Sequence, residues 1–121
     1  MDEQKNFLRN ESLFKRMDKT IREEKLFMDK NLCREQLCQL LCIDRNRFAQ
    51  MIKQHSGATN LNDYINKVRL EHAVKVMRDK PRWTQVAIAE ACGMSLTTFK
   101  RCFAARYHTS PSHFRKQMLQ A

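Results

Sequence analysis

The residues able to do chemistry in this 121-residue chain are five cysteines, four histidines and a large excess of cations. Nucleophilic catalysis needs a thiol or hydroxyl held beside a base. Cys38, Cys92 and Cys102 fall on inward faces of the helical periodicity, and no histidine shares their registers. Metal binding needs several ligands at matched spacing. Cys33, Cys38 and Cys42 are spaced C-x4-C and C-x3-C, unlike the paired C-x-x-C knuckles of structural zinc, and among the histidines only His108 and His113 lie within five residues of each other. An odd number of cysteines in segments that read as helical argues against a disulfide scaffold. The thiols are therefore expected as small apolar side chains in a reduced interior, with no catalytic residue, no metal and no cofactor.

The cations remain. Lys plus Arg number 23 against 13 Asp plus Glu, a net charge of +10. Residues 1–30 hold eight basic and seven acidic side chains, whereas residues 80–121 hold seven basic and one acidic, Glu90, so the excess sits in the last third. A mixed segment is usually a solvated helix surface, but a +6 block in a folding segment suits a phosphate-binding face. Composition alone leaves DNA, RNA, an acidic protein and an anionic membrane surface open.

Length bounds the chain to a single small domain. Two Gly, two Pro and few β-branched residues leave little turn material for a sheet, so the fold class is expected to be all-α and a glycine-cradled nucleotide site is excluded. The longest apolar stretches, Leu40–Ile43 and Val86–Ala89, are four residues long. A bilayer span needs about 20, and no signal peptide opens the chain, so a soluble, cytoplasmic protein without membrane contact is expected.

Laid on itself at an offset of 51, the sequence pairs Leu37 with Ile88, Cys38 with Ala89, Leu41 with Cys92, Cys42 with Gly93, Ile43 with Met94, Phe48 with Phe99, and Ile52 with Phe103. Apolar or small character persists at every pair, so one supersecondary unit occurs twice. In the second copy Ala89, Gly93 and Phe99 fit a helix-turn-helix: a small residue at a close helix crossing, a glycine in a left-handed turn, and an apolar anchor on the second helix. The first copy has Cys42 at the glycine position, where positive φ costs about 1 kcal/mol. Asp44 and Ser95 occupy equivalent capping positions after each turn, and Ser110-Pro111 starts a last helix running to about Gln120. Cys33 is a weak cap for the helix it precedes.

Between the copies, Leu61, Tyr64, Ile65 and Val68 form one stripe, and Leu70, Ala73, Val74 and Met77 form another nine residues on. Nine steps of about 100° make half a turn, so the stripes face opposite sides of one helix from about Asn60 to Met77, a strut of roughly 27 Å stopped before Pro81. Near the N-terminus, Phe7, Phe14, Ile21 and Met28 recur every seven residues, but the alternate seam of Asn10, Met17 and Glu24 makes a poor coiled coil. A short amphipathic helix from about Leu13 to Met28 is expected, laid on the first unit or continuing from an upstream element.

Two helix-turn-helix units on a connecting helix, with Tyr64-Ile65-Asn66-x-x-Arg69-Leu70-x-x-Ala73, Phe99-x-Arg101-x-Phe103 and Ser110-Pro111-x-x-Phe114-Arg115, resemble the AraC/XylS family of bacterial transcription regulators over about Asn31 to Met118. The resemblance implies a DNA-binding domain whose two recognition helices enter successive major grooves, the C-terminal part of a larger sensor-regulator that dimerises through an upstream domain and contacts RNA polymerase. Residues 1–30 are then a helix or linker from that upstream domain, and 31–121 the bipartite DNA-binding domain: 31–59 the first helix-turn-helix, 60–79 the connecting helix, 80–121 the second. The chain departs from the family pattern at His108, where glycine is common, and in a recognition segment one residue shorter. Arg69 and Arg115 match family positions of structural character.

On a helix docked N-terminus first into a groove, exposed positions near its start and one turn later face base edges. The expected readers are Arg45, Asn46, Ala49 and Gln50 in the first unit and Leu96, Thr97, Lys100 and Arg101 in the second. Arg101 suits guanine, Gln50 or Asn46 suits adenine, and Ala49 and Leu96 suit a thymine methyl. Arg34, Lys53, Arg82, Thr84 and Arg106 are the expected phosphate anchors, which position without specifying. Trp83, Phe48, Phe99, Phe103 and Phe114 fall on predicted core faces, which leaves no stacking platform for RNA. The rival reading is a protein-interaction module that docks an acidic partner; polar, dissimilar residues at both reading faces speak against it.

Overall fold

The computed structural model describes residues 2–120, and among these every regular element is helical. The elements are α1 (Asp2–Glu23), a 3-10 turn (Leu26–Met28), α2 (Arg34–Leu41), α3 (Arg45–His55), α4 (Leu61–Asp79), α5 (Gln85–Ala91), α6 (Leu96–Tyr107) and α7 (Pro111–Gln120). They divide into two compact units, one running to Ile65 and the other from Asn66 onward.

In the first unit α1 packs chiefly on α3. Its inward seam is Asn10, Phe14, Met17 and Ile21, of which Asn10, Met17 and Ile21 are completely buried while Phe14 meets Tyr64 edge-on at 5.3 Å. These steps of four, three and four residues stay within about 60° of one another on a straight helix. The seven-residue series read from the sequence drifts by about 20° per heptad, and its ends, Phe7 and Met28, stand exposed. Phe7 stacks on His55, the last residue of α3, so beyond it α1 has no further turn of α3 to cover. The expected helix from Leu13 to Met28 is thus corrected at both ends. It starts eleven residues earlier, and Lys25, at φ 56°, breaks it into the 3-10 turn.

The repeat carries through to the backbone. Helices α5 and α6 begin 51 residues after α2 and α3. The Ile43 amide bonds the Cys38 carbonyl at 3.1 Å, and the Met94 amide bonds the Ala89 carbonyl at 3.0 Å, the same turn made twice. Cys42 takes φ 57° where Gly93 takes φ 78°. A left-handed residue at that surface bend cannot point its side chain inward, so Cys42 is exposed, and the expectation of five interior thiols holds only for the buried Cys38 and Cys92; Cys33 and Cys102 are half-buried.

In the second unit Leu70, Ala73 and Met77 of α4 close over Ile88, Ala89, Cys92, Met94, Phe99 and Phe103. Phe103 is the centre of an aromatic group, with Tyr107 at 4.6 Å and Phe114 at 5.2 Å. Ser110 caps α7 by accepting from the His113 amide at 3.1 Å, ahead of Pro111 in the first turn. Trp83 departs from its expected core position and is 41% exposed. It lies in the non-helical stretch after Pro81, outside the inward stripe of any helix. Its carbonyl, with those of Lys80 and Pro81, accepts from the Arg115 guanidinium, so α7 ties down the stretch that leads into α5.

Candidate nucleic-acid interface

The candidate interface is the exposed face of the second helix of each turn. Asp44 accepts from the Arg47 amide at 2.8 Å and Ser95 from the Thr98 amide at 3.2 Å, so both helices start from a satisfied cap. On α3, Phe48, Met51 and Ile52 point into the core, leaving Arg45, Asn46, Ala49, Gln50 and Lys53 on a contiguous exposed arc of about 140°. The four expected readers and one expected phosphate anchor of the first unit thus share one face. On α6, Phe99 and Phe103 are buried and Thr97, Lys100 and Arg101 form the corresponding exposed arc.

Two expected residues stand apart from that second face. Leu96 is half-buried and packs against the core, so only part of its side chain is available. Arg106, on the last turn of α6, lies about half a turn round the helix from Thr97 and a third of a turn from Lys100, with its guanidinium 5.8 Å from the Tyr107 ring. Arg82 is exposed in the stretch held by Arg115, and Thr84 is the α5 cap, its hydroxyl accepting from the Ala87 amide at 3.1 Å.

The charges around α3 include partners that the sequence reading passed over. Arg34 and Arg45 both reach Glu35 Oε1, at 3.5 and 3.4 Å. Backbone hydrogen bonding at its own amide, helped by Cys33 and the Arg34 charge, holds the Glu35 carboxyl below its ordinary range, so it stays ionised opposite both arginines. Asn10, on the buried face of α1, bonds the side chains of Arg47 and Gln54 on α3. The adjacency of Arg34 and Glu35 was visible in the chain; the Asn10 contacts span 37 and 44 residues and leave no local signal.

Cys92 is buried and its thiol is pushed up to about 12 by loss of solvent, against a small opposing pull from Arg69. It stays protonated at neutral pH. Among the described residues no cluster of three His, Cys, Asp or Glu side chains could hold a metal ion, and no helix is long and apolar enough to cross a membrane.

Residues 37–117 match a family model described as a helix-turn-helix domain. The chain is also 33% identical over 87 residues to the uncharacterized HTH-type transcriptional regulator YijO of Escherichia coli (strain K12). That alignment covers 71% of this chain and 30% of the relative's length. No solved structure matches the chain. The match covers both turns, both capped helices and the Ser110-Pro111 element, so the chain belongs to the AraC/XylS family of helix-turn-helix transcription regulators and carries its DNA-binding domain.

Proposed function

We propose that this chain reads a specific duplex DNA sequence through α3 and α6 in successive major grooves, acting as the C-terminal part of a larger cytoplasmic sensor-regulator. The observation that carries this reading is the pair of capped helices at equivalent positions of a repeat, each presenting an exposed polar arc over an apolar anchor. In the first unit Arg45, Asn46, Ala49 and Gln50 are the base readers, with Arg34 and Lys53 on phosphates. In the second, Thr97, Lys100 and Arg101 carry the reading and Leu96 contributes its exposed part, with Arg82 and Thr84 on the backbone. Arg106 makes at most a peripheral phosphate contact, being turned away from that arc. The two arcs differ in sequence, so one protomer reads two unlike blocks about 10 base pairs apart.

Selection from a randomised duplex pool at physiological salt tests this. Two enriched, unlike blocks one helical turn apart are the expected result. Salt-sensitive binding without enrichment would overturn it. A second reading has one observation in its favour: Trp83 and Val86 are exposed apolar side chains near Lys80 and Arg82, the pattern of a docking site for an acidic protein such as a polymerase subunit. Loss of partner binding on Val86→Ser with DNA binding intact would place the two functions side by side.

A further inference from the structure

Asn10 is the one polar residue in the inward seam of α1, and it is completely shielded from solvent. An amide in such a place must find both donor and acceptor partners or destabilise the packing. It finds both on the proposed first reading helix. Arg47 Nε donates to Asn10 Oδ1 at 3.1 Å, and Asn10 Nδ2 donates to Gln54 Oε1 at 3.0 Å. The chemistry fixes the orientation: a guanidinium only donates, so the Asn10 oxygen faces Arg47 and the amide nitrogen is left for Gln54. One turn nearer the start of α1, the Phe7 carbonyl lies 3.0 Å from His55 Nε2 and its ring 4.5 Å from the His55 ring.

Arg47 and Gln54 both lie just beyond one edge of the reading arc of α3, on the Gln50 side. Gln54 follows Gln50 by one turn, and Arg47 lies about 60° round the helix from Gln50. Both have the reach and hydrogen-bonding groups to contact bases, Arg with guanine and Gln with adenine. In this structure both are turned toward α1 and tied to one buried amide. Asn10 itself lies outside the matched helix-turn-helix segment, which begins at residue 37.

We propose that Asn10 is a positioning residue for sequence specificity: by holding Arg47 and Gln54 against α1 it restricts base reading by α3 to Arg45, Asn46, Ala49 and Gln50. The inference rests on the DNA-reading role of α3. Releasing Arg47 adds a long, mobile guanidinium beside the groove, able to satisfy several bases or a phosphate. That raises affinity for wrong sequences more than for the right one.

The test is site selection from a randomised duplex pool with the wild-type chain, Asn10→Ala, and Asn10→Ala combined with Arg47→Ala. The wild type is expected to enrich two blocks. Asn10→Ala is expected to lose roughly tenfold of its discrimination in the block read by α3, with the block read by α6 unchanged as an internal control. Removing the freed arginine in the double variant is expected to restore the narrow preference, which a purely structural loss would not. An unaltered first block in a folded Asn10→Ala protein overturns the inference and leaves the reading role standing. A wild type without an α3 block overturns both. If circular dichroism shows that Asn10→Ala unfolds, Arg47→Met in the otherwise wild-type chain decides the matter: an unchanged first block supports the inference, and an altered one overturns it.

Discussion

Arg101 and Glu35 bring opposite charges to the proposed DNA contact. Arg101 is exposed on the first turns of α6, and the assigned register points it at base edges. Arg101→Ala is expected to cost about 1–3 kcal/mol and relax preference at one base pair, measured by competition between single-base variants of the selected site. Glu35 is an anion at the start of α2 that shares its carboxylate between Arg34 and Arg45. Exposed ion pairs of this kind hold their partners weakly, so on the proposed reading Arg34 turns to a phosphate and Arg45 to a base edge, while the carboxylate charge remains beside them. Glu35→Gln is expected to tighten binding roughly two- to tenfold at low salt and to steepen the dependence on salt, because more counterions are then released. Looser binding would mean that Glu35 orients Arg45 instead of tempering it. The thiols offer a separate check. With Cys42 exposed and Cys92 buried and raised to about 12, alkylation at pH 8 is expected to label Cys42 within minutes and Cys92 only after denaturation, as read by peptide mass mapping.

At the scale of the element, the two turns are one design carried out with different residues. Gly93 takes φ 78° at no steric cost, whereas Cys42 takes φ 57° against a penalty of about 1–2 kcal/mol for a side chain in the left-handed region. Because the Cys42 side chain is exposed, Cys42→Gly removes the strain without opening a cavity. After the extra chain entropy of glycine is subtracted, a gain of roughly 0.5–1 kcal/mol is expected from urea unfolding. No gain would place the strain elsewhere in the turn. The repeat that exposes this asymmetry was legible in the chain, because apolar spacing and capping residues are local signals: Asp44, Ser95 and Ser110 all cap where their neighbours required a cap. What the chain concealed is long-range. Asn10 reads only as a flaw in a coiled-coil seam until α3 is laid over it, and Trp83 reads as core until its stretch proves to lie outside a helix. Arg115 meets the carbonyls it holds across 32 to 35 residues, a contact that no periodicity announces. For the same reason the proposed readers could be chosen from helix register alone, while the contacts of Asn10 with Arg47 and Gln54 could not.

For the whole molecule the decisive quantity is how binding through two units combines. On the proposed reading each unit supplies one short polar arc, and a single arc of three or four readers gives only modest specificity; tethering a second raises its effective concentration at the neighbouring groove. The chain passes from one unit to the next within α4, at Ile65 and Asn66, and no glycine or proline interrupts that helix between Leu61 and Asp79. On the proposed reading, in which the two arcs enter successive major grooves, the spacing of the two blocks is set by the helical repeat of DNA. Inserting five base pairs, about half a helical turn, between the two selected blocks is therefore expected to lower affinity as far as scrambling one block does, by roughly ten- to a hundredfold at fixed salt. Gel-shift titration of the native, inserted and scrambled sites measures it. Equal affinity for native and inserted sites would mean that the units bind as independently tethered modules, and that α4 opens when the protein is on DNA.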